Sequence, residues 1–187
     1  MCDKKQGLGK EDANKALDNI NMWINNCDTK ASIVLGFYAT IITICLSTDF
    51  VDIQADIFSH FLSDATVIKI IYLAIHICSI ISFVIGMVEL LVVIVPRTIL
   101  KTNLKEDFVS VLFYGSIAKN MPKYNDYKYK VEAITQDKVI LDDLLFQIHS
   151  AALICNKKFF HQKIGLLLTT ISVTIFFITT VIGMLLI

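Results

Sequence analysis

Three stretches of the chain are apolar on every helical face. Residues 31–48 read ASIVLGFYATIITICLST and carry no charge. Residues 70–95 run for 26 positions with one carboxylate, Glu89, and residues 164–187 carry no charge at all. A hydrocarbon core of ~30 Å takes roughly 20 apolar residues in a helix, and a soluble core helix is not apolar all round for so long. The pattern predicts an all-α integral membrane protein with three transmembrane helices and a helical cytoplasmic segment. The first 30 residues are polar and lack an early apolar core, which argues against a signal peptide and makes the first span an uncleaved anchor.

Between the spans the pattern is amphipathic. Leu17, Ile20, Ile24, Cys27 and Ala31 are spaced 3, 4, 3 and 4 residues apart, a seam of coiled-coil type. It runs without Gly or Pro into the first span, so one helix is expected from about Glu11 to Thr48. The seam serves packing within the protomer or pairing between protomers equally well. Trp23 lies a turn below the membrane, where Trp anchors at the interface. From Val131 to Phe160, Ile134, Leu141, Leu145, Ile148, Ala152, Cys155 and Phe159 mark an apolar face. Asp137, Asp142, Asp143, Gln147 and Lys157 are expected on the opposite, polar face. A shorter apolar run, Phe108 to Ala118, is expected to form a helix as well. MPKYNDYKYK, residues 121–130, has no apolar period and reads as a basic, tyrosine-rich connector.

Charge orients the chain. Lys and Arg balance Asp and Glu at 17 each, but unevenly along the sequence. Residues 1–30 hold five Lys and residues 97–163 hold eleven Lys/Arg, whereas residues 49–66 hold none and carry Asp49, Asp52, Asp56 and Asp64. The positive-inside bias places the N-terminus and the long segment in the cytoplasm. The expected order is a cytoplasmic N-terminal helix (1–30), span one (31–48), a short extracytoplasmic loop (49–69), span two (70–95), a cytoplasmic helical ligand-sensing segment (96–163) and span three (164–187).

The spans carry rows of small residues, Ser32, Gly36 and Thr40 in the first and Ala74, Cys78, Ser82 and Gly86 in the second. Such rows let helices approach closely in lipid. Two ionisable side chains lie in the second span. His76 reads as a packed neutral histidine. Glu89 reads as interfacial, because a 26-residue helix is ~39 Å long and overshoots the core. The five cysteines, Cys2, Cys27, Cys45, Cys78 and Cys155, form no CxxC pair and no Cys/His cluster with metal-ligand spacing.

Enzyme chemistry finds no foothold. The chain has no GxSxG, Walker or HExxH motif. Asp142 and Asp143 are adjacent, about 100° apart on a helix, a poor acid–base pair. His149 and His161 are twelve residues apart, with no nearby Ser or Cys in a nucleophile context. No enzyme, metal site or cofactor is expected. The segment 97–163 holds eleven basic against seven acidic residues, interleaved with Tyr and Phe. That composition suits a small anionic aromatic ligand held by stacking and charge pairing. Taken alone, a basic cytoplasmic segment is more often a topology determinant drawn to anionic lipid.

Several motifs add to this reading: NMWINNCDTKASIVLGF (21–37), PRTIL (96–100), FYGSIAKN (113–120), Tyr124, and LDDLLFQIHSAALICNKKF (141–159). Together they resemble the membrane effectors of pyrimidine cyclase anti-phage systems (Pycsar), over roughly residues 15–175. The resemblance implies an inner-membrane, multi-pass effector working beside a uridylate or cytidylate cyclase. Such an effector binds cyclic UMP or cyclic CMP and impairs the membrane, ending growth before phage spread. The expected ligand contacts are Arg97, Lys119 and Lys158 for phosphate, Tyr114 and Tyr124 for stacking, and Gln147 for base hydrogen bonds. The seam Leu17, Ile20, Ile24 and Cys27 is the candidate for homo-oligomer formation, and Asp28 with Lys30 for a structural ion pair. The competing readings are an effector answering a different nucleotide, and a small ligand-free channel or structural membrane protein.

Overall fold

The computed structural model describes residues 9–63, 66–96, 109–134 and 137–187. They form helices α1 (Lys10–Cys45), α2 (Thr48–Ser63), α3 (Val67–Ile94), α4 (Tyr114–Asn120), α5 (Tyr124–Glu132) and α6 (Asp137–Leu186). No strand occurs among the described residues, and the class is all-α, as the patterning predicts. Three helices, α1, α3 and α6, are long and apolar enough to cross a membrane. The chain divides into two compact units. A membrane unit comprises residues 27–95 and 158–187, and a polar unit comprises residues 1–26 and 96–157.

In the membrane unit the large apolar side chains point outward. Ile33, Phe37, Ile68 and Leu185 are 67 %, 62 %, 80 % and 80 % exposed, as expected where the solvent is hydrocarbon rather than water. Inside, α1 and α3 share a core of Cys27, Ala31, Tyr38, Leu90 and Val93. Helices α3 and α6 cross at glycines. A Cβ on Gly86 would lie 2.7 Å from Thr169 Cγ2 and 2.9 Å from the Thr169 backbone nitrogen. A Cβ on Gly165 would lie 2.8 Å from Leu90 Cγ and 3.1 Å from the Gly86 carbonyl oxygen. The small-residue row of span two therefore serves close helix approach within one chain at its Gly86 end. Ala74 and Cys78 of the same row, and Ser32, Gly36 and Thr40 of α1, are exposed.

Most of the segment expected as a loop, 49–69, is helical. Its residues 49–63 lie in α2, which is amphipathic. Asp49, Asp52 and Asp56 are exposed, whereas Ile57 and Phe61 are buried. The helix packs on α3. Four-residue spacing from Ile53 to Ile57 to Phe61 carries the apolar face, a signal shorter than the spans and masked by its acidic neighbours.

Gln54 of α2 enters a polar network. His76 is fully buried, with Nε2 2.9 Å from Gln54 Oε1 and Nδ1 2.7 Å from Thr179 Oγ1. Gln54 Nε2 donates to Thr180 Oγ1 at 3.1 Å, and Tyr72 Oη donates to the Thr179 carbonyl. His76 is thus a packed and satisfied histidine, as its sequence context suggests.

Helix α6 is turned part of the way from the orientation expected from its apolar period: Leu141, Ile148 and Cys155 of the expected face are half-buried and Asp142 and Lys157 are exposed as expected, but the most buried positions are others, Leu144 among them. Its inward residues are Asp143, Gln147, Ser150, Ile154, Lys158, Gln162, Gly165, Thr169, Ser172, Phe176, Thr179 and Gly183. They step by three or four and are almost all polar or small. Leu145 and Phe159, expected on the buried face, are 39 % and 38 % exposed, and Ala152 is exposed too. Asp143, expected on the outer polar face, is 2 % exposed. The binary rule of a water-soluble helix fails here, because this helix continues into a span whose outer face needs no polar residues.

Candidate functional site

The polar unit holds two features that could receive a polar ligand. The first grows from helix α6. Residues 109–113, expected as the first part of a helix, form instead a non-helical strap that precedes α4, because their backbone N–H groups bond to side chains, Asp143 among them. The backbone N–H groups of Val111 and Leu112 donate to Asp143 Oδ2 at 2.9 and 3.1 Å. Ser110 Oγ accepts from the backbone N–H of Leu112 at 3.3 Å and of Phe113 at 2.9 Å, a serine turn that leads the chain into α4. One carboxylate oxygen therefore holds the strap. The other, Asp143 Oδ1, is buried without a hydrogen-bond partner among the described residues. So are Gln147 Nε2 and Ser150 Oγ. These three residues sit at i, i+4 and i+7, on one face of α6. A buried polar atom left unsatisfied costs about 1–3 kcal/mol, so three in a row call for an explanation.

The second feature is a cleft of about 490 Å³ lined by Val109, Asn120, Met121, Asp126, Tyr129, Lys130 and Ala133. The tyrosine-rich stretch expected as a connector supplies four of these residues, Met121, Asp126, Tyr129 and Lys130. Most of that stretch is helix α5 rather than an irregular linker. Tyr129 is 77 % exposed and presents a free ring. Val109, at the cleft, is the first residue of the strap that Asp143 holds. Asn120 donates to the Ser116 carbonyl and hydroxyl at 3.1 and 3.3 Å, which fixes the cleft wall at the end of α4.

The candidate residues named from sequence are scattered. Gln147 belongs to the buried row. Tyr114, Lys119 and Tyr124 lie in the polar unit and are exposed; none of them lines the cleft. Arg97 lies outside the described residues. Lys158 lies in the membrane unit, 5 % exposed at its side chain, with Nζ 2.5 Å from Asp28 Oδ1. Its charge already has a partner, and the ion pair expected between Asp28 and Lys30 is formed by Asp28 with Lys158 instead. Beside it Cys27 Sγ donates to Gln162 Oε1 at 3.0 Å, and Glu89 Oε2 lies 2.5 Å from His161 Nδ1. Of the proposed seam, Cys27 is buried in its own chain, and Leu17, Ile20 and Ile24 are half-buried.

Asp143, Ser150, Tyr129 and Lys130 went unnoticed as site candidates. Only Tyr129 and Lys130 carried a usable signal, since the YKYK run places two Tyr and two Lys within one helical turn.

The fold defines a helical membrane protein with three helices able to span the bilayer and a polar helical unit. The chain belongs to the Pycsar effector family, whose effector protein domain matches residues 12–186. It is similar to the Pycsar effector protein GmPycTM of Gulbenkiania mobilis, 29 % identical over 162 residues, covering 80 % of each chain. No solved structure matches it. Membership makes the protein a membrane effector of anti-phage defence, and the family is not one of known enzymes.

Proposed function

We propose that this effector binds a cyclic pyrimidine mononucleotide, cyclic UMP or cyclic CMP, made by a partner uridylate or cytidylate cyclase. Binding then impairs the bacterial inner membrane and stops growth of the infected cell. The polar unit and the N-terminus face the cytoplasm, and the active state is a homo-oligomer. The observation that carries the reading is the conjunction, in one unit, of a tyrosine- and lysine-lined cleft with a row of buried polar atoms that lack partners. Family membership supports the signalling logic, and the concentration of Lys and Arg in residues 1–30 and 97–163 supports the orientation.

The chemistry is that of a receptor. The ligand's single phosphate charge pairs with Lys130, and its base stacks on Tyr129. Asp126 accepts from the ribose hydroxyl. The buried row supplies base hydrogen bonds, and Gln147 keeps the role given to it by sequence. Binding shifts the protein only if it favours one arrangement over another. A ligand that satisfies Asp143, Gln147 and Ser150 has that property, because the free chain leaves them unpaired.

The test is calorimetric titration of the full-length protein in detergent with cyclic UMP, cyclic CMP, cyclic AMP and cyclic GMP, followed by dye release from proteoliposomes. The expected result is binding of a cyclic pyrimidine nucleotide and ligand-dependent dye release. Lys130→Ala and Tyr129→Ala should each weaken binding about tenfold or more. Folded protein that binds none of the four and releases no dye would sink the proposal and favour a ligand-free membrane protein.

A further inference from the structure

We propose that the membrane unit holds one acyl chain of a bilayer phospholipid in an apolar cavity among its four helices. The site is independent of the signal the effector answers. The cavity has a volume of about 440 Å³ and is walled by α1, α2, α3 and α6, all within the membrane unit. Five rings line it: Phe50 and Phe58 of α2, Phe83 of α3, and Phe176 and Phe177 of α6. Each is braced by another ring of the same unit. Phe83 meets Tyr38 edge-on with centroids 5.4 Å apart. Phe176 lies 6.0 Å from Phe50, 5.7 Å from Phe177 and 5.0 Å from the imidazole of His76. Phe58 lies 5.8 Å from the same imidazole, which Gln54 and Thr179 hold in place. Walls braced in this way make a preformed site.

The wall chemistry suits hydrocarbon and not water. Gln54, Ser79 and Ser172 line the cavity, beside the weak thiol of Cys45. The Gln54 amide is engaged with His76 and Thr180, and Ser79 Oγ donates to the His76 carbonyl at 2.6 Å. That leaves one hydroxyl, whereas a buried water takes roughly 2–4 polar partners. The volume fits a tail. An apolar protein cavity of roughly 150 Å³ holds a benzene ring, so 440 Å³ holds roughly 15–18 carbons, the hydrocarbon of one acyl chain.

The mouth fits as well. Ile42 and Leu46 of α1 and Ile80 and Val84 of α3 line the cavity and are 36 %, 72 %, 41 % and 55 % exposed. The cavity therefore opens on the outer surface of the spans, which faces lipid, and a tail enters it without leaving hydrocarbon. Helix α2 marks the edge of the membrane there. Its Phe50 and Phe58 line the cavity while Asp49, Asp52 and Asp56 are exposed, the arrangement of an amphipathic helix lying along a bilayer surface. Those carboxylates disfavour an anionic headgroup, so the tail belongs to a zwitterionic phospholipid. A chain seated among four helices binds only the folded bundle and stabilises it by mass action.

The test uses the full-length protein, stripped of lipid, in a steroid-based detergent whose rigid rings do not imitate an acyl chain. The probe is phosphatidylethanolamine with a photoreactive diazirine on one acyl chain. Labelling of residues 172–177 should saturate at about one lipid per protomer, while labelling around Ile68, 80 % exposed on the outer wall, rises in proportion to the lipid in the micelle. The same lipid without the diazirine should raise the melting temperature saturably. Ile42→Trp and Ile80→Trp each set a bulky ring at the mouth, at positions exposed enough to accept it. In these variants the half-saturating lipid concentration should rise about tenfold or more, with labelling around Ile68 unchanged. The wild-type titration decides alone if a variant does not fold. Labelling of 172–177 in mere proportion to lipid would overturn the site, as would saturation that both folded variants keep unchanged. Disulfide linkage of Cys45 to Cys45 between copies, with no saturable lipid labelling, would give the cavity to a second copy of the chain and overturn it too.

Discussion

Lys158 and Asp28, 130 residues apart in sequence, meet across the membrane unit with Nζ 2.5 Å from Oδ1, the lysine side chain 5 % exposed and the aspartate 34 %. An ion pair with one buried member is asymmetric. Removing the aspartate strands a cation that water cannot reach, whereas replacing the lysine by an apolar chain of similar length removes the problem along with the pair. Asp28→Ala should therefore destabilise the folded protein by about 2–3 kcal/mol, below the range for fully buried pairs because Asp28 is partly solvated. Lys158→Met should do much less harm. Thermal melting in detergent, followed by loss of monodisperse protein, separates the two; equal damage from both would show that the lysine stem matters more than its charge.

The glycine crossing of α3 and α6 gives a steric prediction. Gly86→Ala sets a methyl group 2.7 Å from Thr169 Cγ2 and 2.9 Å from a backbone nitrogen that cannot step aside. Overpacking of this kind costs about 1–3 kcal/mol. Gly36→Ala on α1, by contrast, meets nothing within 4 Å and should leave the protomer's melting temperature unchanged. The same pair of variants tests homo-oligomer formation. If Gly36→Ala preserves melting but abolishes dye release, the exposed α1 face is where copies meet; full release would remove that face from consideration.

The His76 network ties α2 to the spans through side chains alone. His76→Ala opens a cavity and strips Gln54 of one partner, with an expected loss of about 2–4 kcal/mol. Gln54→Leu should cost less, since His76 keeps Thr179. Because the two residues share a bond, the double variant should be less damaging than the sum of the singles by roughly 0.5–3 kcal/mol. Strict additivity in a double-mutant cycle would mean that the 2.9 Å contact contributes nothing.

Orientation is testable without any ligand. Asp52 is on the exposed face of α2, and Lys128 is on α5 in the polar unit, also exposed. In a chain whose native cysteines are replaced by serine or alanine, Asp52→Cys should react with a membrane-impermeant maleimide added to spheroplasts. Lys128→Cys should react only after the membrane is breached. The reverse pattern would invert the topology and place the proposed receptor unit on the wrong side of the membrane for a cytoplasmic signal.

Much of the fold was legible in the sequence because lipid imposes a blunt rule: a span is long and carries almost no charge, and its length is counted in turns. The three helices long and apolar enough to cross a membrane, α1, α3 and α6, each contain most or all of one of the apolar runs. The break of α1 at Cys45 also falls within three residues of the expected Thr48. Three features escaped for physical reasons. Helix α2 is a single amphipathic helix whose apolar stripe is thinned by Asp49, Asp52 and Asp56. The α5 helix, YNDYKYKVE, is polar all round and has no period to detect. The inward face of α6 was misjudged because Leu141, Leu145, Ile148 and Ala152 keep a perfect apolar step, while the chain uses the polar one. The site suffered from the same inversion. Gln147 was visible as an isolated amide, but Asp143 and Ser150 become its companions only once the helix is turned polar side in. Lys158 read as a free cation because its partner lies 130 residues away.

The close crossing at Gly86 and Gly165 has a bearing on how such a protein can harm a cell. The backbones of α3 and α6 are so near that a methyl group has no room between them, and a hydrated ion is far larger than a methyl group. Along that crossing a lone protomer offers current no conduit. If the proposed membrane impairment is a leak, its path runs somewhere other than this crossing. On the proposed function, a path between copies would make dye release rise more steeply than in proportion to the effector's density in the membrane, whereas a path through each protomer would make it rise in proportion.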